Sequence, residues 1–206
     1  MAEEAPRIIF DAAQPQQRTL DEFLAAYSPS RVSQYQASWI CVQGIPYLES
    51  TSNKYVDAGD VDGLQRAWNL LLSNTNDRQP DAELVREIAL AHRVLSGKWM
   101  LFIPRSRIDE VWNRIAAATA NGHLGCGAKV SPREPASDGD TGKREPSHLI
   151  CVYVEDFADE ANVTRVRECL CLMGFTRKLS FKADAYTYLN IYSGNEWGIP
   201  PSIYYS

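Results

Sequence analysis

Cations and phenols recur at two-residue spacing in two stretches of this chain. In Ala128–Arg133 (AKVSPR), Lys129, Ser131 and Arg133 alternate with Ala128, Val130 and Pro132. Between Lys178 and Tyr192, the residues Lys178, Ser180 and Lys182 keep the same spacing and are continued by Tyr186, Tyr188 and Tyr192. A strand sends successive side chains to opposite faces, so each set would share one face. Cations interleaved with rings on a sheet suit a nucleotide or single-stranded RNA, because cations meet phosphate and rings stack on bases. One stacked base is worth about 1–3 kcal/mol. The plainer account is a solvated sheet face whose tyrosines are cross-strand packing pairs. The pattern alone leaves both accounts open.

Other motifs carry less chemistry. Ser96-Gly97-Lys98 resembles the end of a phosphate loop, but His92 stands where the first glycine belongs and Trp99 where Ser or Thr belongs. Gly122–Gly127 (GHLGCG) runs from a helix into a strand, the reverse of a dinucleotide-binding turn, and reads as a tight connection. His92, His123 and His148 are scattered among the cysteines without metal-ligand spacing. Glu155, Asp156, Asp159 and Glu160 read as a solvated turn and helix start. No nucleophile signature appears, so no enzyme, cofactor or metal is expected.

The elements that would position the cations centre on His92–Arg133. Lys98–Ile103 (KWMLFI) is an apolar run between Gly97 and Pro104 and reads as a buried strand. Ser106 stands three residues before Asp109, a weak capping box. Ile108, Val111, Trp112, Ile115 and Thr119 then recur at helical spacing, and Asn121-Gly122 stops that helix. AKVSPR follows as a strand.

The same unit recurs along the chain. Thr19–Glu22 is a capping box, and Asp60, Asp81 and Asp159 stand where they could cap further helices. Ser38–Val42 and His148–Val154 read as strands, Lys178–Tyr192 as one long strand or a hairpin, and the aromatic tail from Trp197 as a lid or final strand. Residues 1–7 read as a flexible arm, 8–206 as a single domain, and 134–146, which lacks large apolar residues, as a mobile loop. The expected fold class is α+β: a single curved antiparallel sheet with helices packed on one face.

Bulk properties agree with such a domain. The 206 residues are 45% hydrophobic and 23% charged, enough for a full core. A net charge of −5 excludes a uniformly basic coat but not a local basic pocket. The five cysteines show no C-x-x-C pair and read as reduced thiols. MAEEAPR has no apolar core, so no signal peptide is expected, and no apolar run approaches a membrane span. A cytoplasmic or nuclear compartment is expected.

SGKW (Ser96–Trp99), AKVSPR, ICVYVEDF (Ile150–Phe157) and KADAYTYLNIY (Lys182–Tyr192) together resemble the basophilic-leukaemia-expressed protein family, with a likeness from about Ile9 to the C-terminus. That family is similar in fold to eukaryotic translation initiation factor 4E, the messenger-RNA cap binder, which implies a cupped antiparallel sheet backed by helices. In that comparison GAKVSPR resembles a strand carrying a phosphate-contacting arginine, which implies that role for Arg133. The cap binder also sandwiches its base between two tryptophans, the second followed by glutamate. No Trp-Glu dipeptide occurs here. Trp68 and Trp112 fall on buried helix faces, leaving Trp39 and Trp197 as the stacking candidates. The candidate ligand-binding set is therefore Arg133, Lys129, Ser131, Lys98, Lys182, Tyr186, Tyr188, Trp39 and Trp197. The expected ligand is RNA or a nucleotide phosphate, bound without catalysis. The alternative is an interaction module whose helical face holds a partner protein.

Overall fold

The chain runs β1 (Arg7–Asp11), α1 (Leu20–Ala26), β2 (Trp39–Gln43), α2 (Val61–Ser73), α3 (Ala82–Ala91), β3 (Gly97–Pro104), α4 (Ile108–Ala120), β4 (Gly127–Val130), β5 (Ser147–Val154), α5 (Glu160–Leu172), β6 (Ser180–Ala183), α6 (Asp184–Tyr188) and β7 (Tyr204–Tyr205). The computed structural model describes residues 5–14, 18–45, 59–73, 79–134 and 146–206. The expected mobile loop lies, apart from its end residues, outside them, as do the first four residues of the expected arm.

Short polar side chains start the helices where the sequence placed them. The Thr19 hydroxyl accepts from the Glu22 amide at 3.3 Å, and the Glu22 carboxylate accepts from the Thr19 amide at 2.8 Å, completing the capping box of α1. Asp60 accepts from the Gly63 amide at 2.7 Å, Asp81 from Leu84 at 2.7 Å and Asp159 from Asn162 at 3.0 Å. Each carboxylate satisfies an orphan amide of the first turn. The Ser106 box does not form: a 3₁₀ turn, Arg105–Arg107, leads into α4, which has no side-chain cap. Gly122, at φ +72°, ends α4 in the left-handed region.

The strands bond in the order β1-β2-β4-β5-β3-β6-β7, making the α+β class expected. The resolved pairings β2–β4, β4–β5 and β6–β7 are antiparallel. The β1–β2 pairing is parallel, which corrects the all-antiparallel expectation. β1 was not foreseen. It begins at Arg7, paired with Trp39, so any arm ends before that residue. A parallel neighbour needs a crossover, and the segment holding α1 supplies it.

The chain divides into two compact units: Met1–Ser52 with Met100–Tyr153, and Asn53–Trp99 with Val154–Ser206. In the first, Ile40, Val42, Ala128, Val130, Ile150 and Val152 form the buried side of β2, β4 and β5. α4 packs on β2 and β4, and its Ile108, Val111, Trp112 and Ile115 are fully buried. Each such side chain contributes about 1.5–3 kcal/mol. A one-residue slip of β4 would turn Lys129 inward and Val130 outward, so this burial fixes the register. Gly125 ends the glycine-rich connection against β5, where a Cβ would collide with the Tyr153 carbonyl.

In the second unit the Trp99 indole donates to the Val163 carbonyl of α5 at 3.1 Å and meets Phe181 edge-on at 5.3 Å. Arg167 of α5 lies over the same indole and is only 6% exposed. Its guanidinium donates to the carbonyls of Phe175, Arg177 and Ser206 at 2.9–3.2 Å, so each nitrogen of this buried charge has a partner. Trp68 and Trp112 are core residues, 3% and 0% exposed, as their helical spacing implied.

Candidate functional site

The outward side of β2, β4 and β5 in the first unit is built around Lys129. Register places Cys41 and Cys151 on either side of it, with Trp39 and Tyr153 one pair further along. The Lys129 ammonium lies 4.1 Å from the Trp39 ring centroid and 5.5 Å from that of Tyr153. Both distances are within cation–π range, and each contact contributes about 0.5–1 kcal/mol at an exposed site. Burial pushes the Cys41 thiol up, against the opposing pull of Lys129 and Arg7. A thiol so shifted stays protonated and is a poor nucleophile.

Beyond Val130 the alternation continues after the regular strand has ended. The Ser131 amide donates to the Leu149 carbonyl at 2.9 Å, and the Ser131 hydroxyl accepts from the Leu149 amide at 3.0 Å. The Ser131 carbonyl meets Nδ1 of buried His148 at 2.8 Å. The Arg133 amide donates to Val32 at 2.8 Å, and its carbonyl accepts from Gln34 at 3.1 Å. Arg133 is thus held through its backbone. Its Nε is buried and has no hydrogen-bond partner among the described residues. A buried donor left unmatched costs about 1–3 kcal/mol.

The second unit gathers a different set. Lys98 and Lys182 are 7% and 5% exposed. The Lys98 ammonium pairs with the Asp184 carboxylate and donates to the Thr187 hydroxyl at 2.8 Å. The Ser96 hydroxyl donates to the other Asp184 oxygen at 2.5 Å. Lys182 donates to the Ile191 carbonyl at 2.8 Å, and its ammonium lies 3.7 Å from the Tyr192 ring centroid. Burial, then repulsion from Lys98, brings Lys182 down to about 8, with Asp184 opposing.

The expected long strand to Tyr192 is not formed, which corrects the placement of the tyrosines. β6 stops at Ala183, and Tyr186 and Tyr188 lie on α6, so they do not continue the face of Lys182. Ser96 anchors the turn from strand to helix: its carbonyl accepts from the Asp184 amide at 2.8 Å while its hydroxyl holds the carboxylate. Tyrosine and threonine favour strands, and here tertiary contacts override that preference. Tyr186 is buried and Tyr188 half-buried. Trp197 is half-buried and meets Trp68 edge-on at 5.0 Å.

Residues 47–190 match the family described as basophilic leukemia-expressed protein Bles03. The chain belongs to that family. The Bles03 match contains Lys98, Lys129, Ser131, Arg133, Lys182, Tyr186 and Tyr188 of the candidate set. Trp39 and Trp197 stand outside it.

Three residues beside the candidates were not foreseen in those places. Tyr153 was legible: it stands two residues after Cys151 in a strand, so alternation puts it on the face of Lys129. Asp184 and Thr187 were not, because their meeting with Lys98 depends on a helix that the composition of ADAYTY does not announce. Among the described residues, no helix is long and apolar enough to cross a membrane.

Proposed function

We propose that the chain is a non-catalytic binder of RNA or a phosphorylated nucleotide, acting through the Lys129–Arg133 side of the first unit. The observation that carries this reading is the buried Nε of Arg133, which has no hydrogen-bond partner among the described residues. A phosphate oxygen is an acceptor to which a guanidinium donates strongly, through charge-assisted bonds. Lys129 stands four residues before it, roughly 13 Å along an extended chain, about two phosphate spacings of an extended strand of nucleic acid. Trp39 and Tyr153 flank Lys129 and offer ring faces for a base once the ammonium turns to phosphate. The resemblance of GAKVSPR to the phosphate-contacting strand of the cap binder supports the same assignment. Lys98 and Lys182 add positive charge in the second unit, with Lys98 already matched by Asp184.

The test is a fluorescence titration with methylated cap analogue, unmethylated nucleotides and a short single-stranded RNA. Quenching that saturates, weakens with salt and is lost in Arg133→Glu supports the reading. Equal affinity in Arg133→Glu refutes the site.

A second reading, a partner protein docked on the helices, is favoured by Leu172 of α5, which is 89% exposed. It takes precedence if no nucleotide or RNA binds and Leu172→Asp removes a partner that wild type retains.

A further inference from the structure

The second unit contains a cavity of about 470 Å³. Small-molecule sites fall in a range of roughly 300–1,000 Å³. Small side chains make the room: Ala82 and Ala89 of α3, with Ala183 and Ala185 at the junction of β6 and α6. The Phe157 ring closes one side, and the tail residues Ser202 and Tyr204 another.

Two kinds of polar group face this space. The inner ones are hydroxyls. Tyr186 and Ser202 are 3% and 6% exposed, both line the cavity, and neither hydroxyl has a hydrogen-bond partner among the described residues. Both hydroxyls belong to the cavity lining, so a ligand there could supply their partner. The outer groups are charged. Glu83 and Glu160 are solvent-exposed residues of the lining, with Arg86 as its only cation. Arg86 is already occupied: its guanidinium lies 5.6 Å from the Phe157 ring centroid and bonds the Tyr204 hydroxyl. Glu160 accepts from the Tyr204 hydroxyl at 3.5 Å, so the described lining carries two carboxylate charges against one guanidinium. Burial, with the carboxylates of Asp81 and Glu83, pushes the Tyr186 phenol up to about 12, so it stays a donor at neutral pH.

We propose that this cavity binds a small organic amine. Its ammonium group lies at the mouth between Glu83 and Glu160. Its apolar body packs on the alanines and Phe157. A hydroxyl or carbonyl at its inner end accepts from Tyr186 and Ser202. The occupant is a monocation of modest size; an anion of the same shape would meet two carboxylates at the entrance. This site is independent of the phosphate-reading face, which is in the other unit.

The probe pair is tyramine and hydroxyphenylpropionate, which share a phenol and differ in the sign of their charge. Ligand-observed NMR and calorimetry on the full chain are expected to show tyramine binding at least about tenfold more tightly. Glu83→Gln with Glu160→Gln is expected to remove that preference, and Tyr186→Phe to weaken both probes. Ala82→Phe guards against misfolding of those variants. Ala82 is exposed at the start of α3, so a ring there fills the cavity without disturbing the core and should abolish tyramine binding at an unchanged melting temperature. Equal or tighter binding of hydroxyphenylpropionate overturns the proposal. So does tyramine binding that survives Ala82→Phe, or no saturable tyramine binding at millimolar concentration.

Discussion

Lys182→Met gives a prediction whose sign and size both follow from the structure. Lys182 is 5% exposed, and its amine is brought from 10.5 down to about 8 by burial and by Lys98. Below about pH 8 the amine is charged in both the folded and the unfolded chain, and the folded state carries the cost of burying it. Between about 8 and 10.5 the unfolded chain holds the proton and the folded chain does not. Stability therefore rises with pH across that window, because the unfolded state binds more protons. A shift of this size corresponds to about 3 kcal/mol, of which about 2 kcal/mol is recovered by pH 10. Methionine fills the same volume and does not titrate. It also loses the donor to Ile191 and, below about pH 8, the ammonium over the Tyr192 ring, each worth about 1 kcal/mol. Urea unfolding of both proteins at pH 7 and pH 10 cancels the titrating groups that do not interact with Lys182. Wild type should gain about 2 kcal/mol on the variant between the two pH values. A difference that does not change with pH, or that moves in favour of the variant, refutes the reasoning.

Four further variants test the packing and the caps. Asp184→Asn leaves the Lys98 charge buried without its partner and should cost about 3–5 kcal/mol in urea unfolding. Lys98→Met combined with Asp184→Leu should cost less than that single change, and an equal cost would show the pair is not the source. Gly97→Ala places a Cβ 2.5 Å from the Phe181 ring and should destabilise by about 1–3 kcal/mol, read as a lower melting temperature. Thr19→Ala removes the hydroxyl half of the capping box of α1 and should cost about 1 kcal/mol, with circular dichroism showing the rest of the fold unchanged.

Local signals were the most readable part of this sequence. Thr19, Asp60, Asp81 and Asp159 announced helix starts because a short acceptor beside free amides is a nearest-neighbour effect. The alternation of Ala128, Lys129 and Val130 announced both faces of β4, because the pleat has a fixed period. What depended on contacts distant in sequence was not legible. Arg7–Asp11 becomes a strand through a parallel partner more than thirty residues away. Asp184–Tyr188 becomes a helix while Ser96 and Lys98 hold Asp184. The Arg133 Nε, unmatched among the described residues, was equally hidden, since the sequence shows a cation but not its partners.

The central claim is that Arg133 and Lys129 read phosphate. The most direct test is the salt dependence of binding to a short single-stranded RNA, measured for wild type, Arg133→Glu and Lys129→Glu. The logarithm of affinity falls against the logarithm of salt with a slope of about −0.7 for each phosphate neutralised. Both variants should bind more weakly, and each should lower the slope by about one phosphate's worth. Slopes and affinities identical to wild type in both variants would contradict the account.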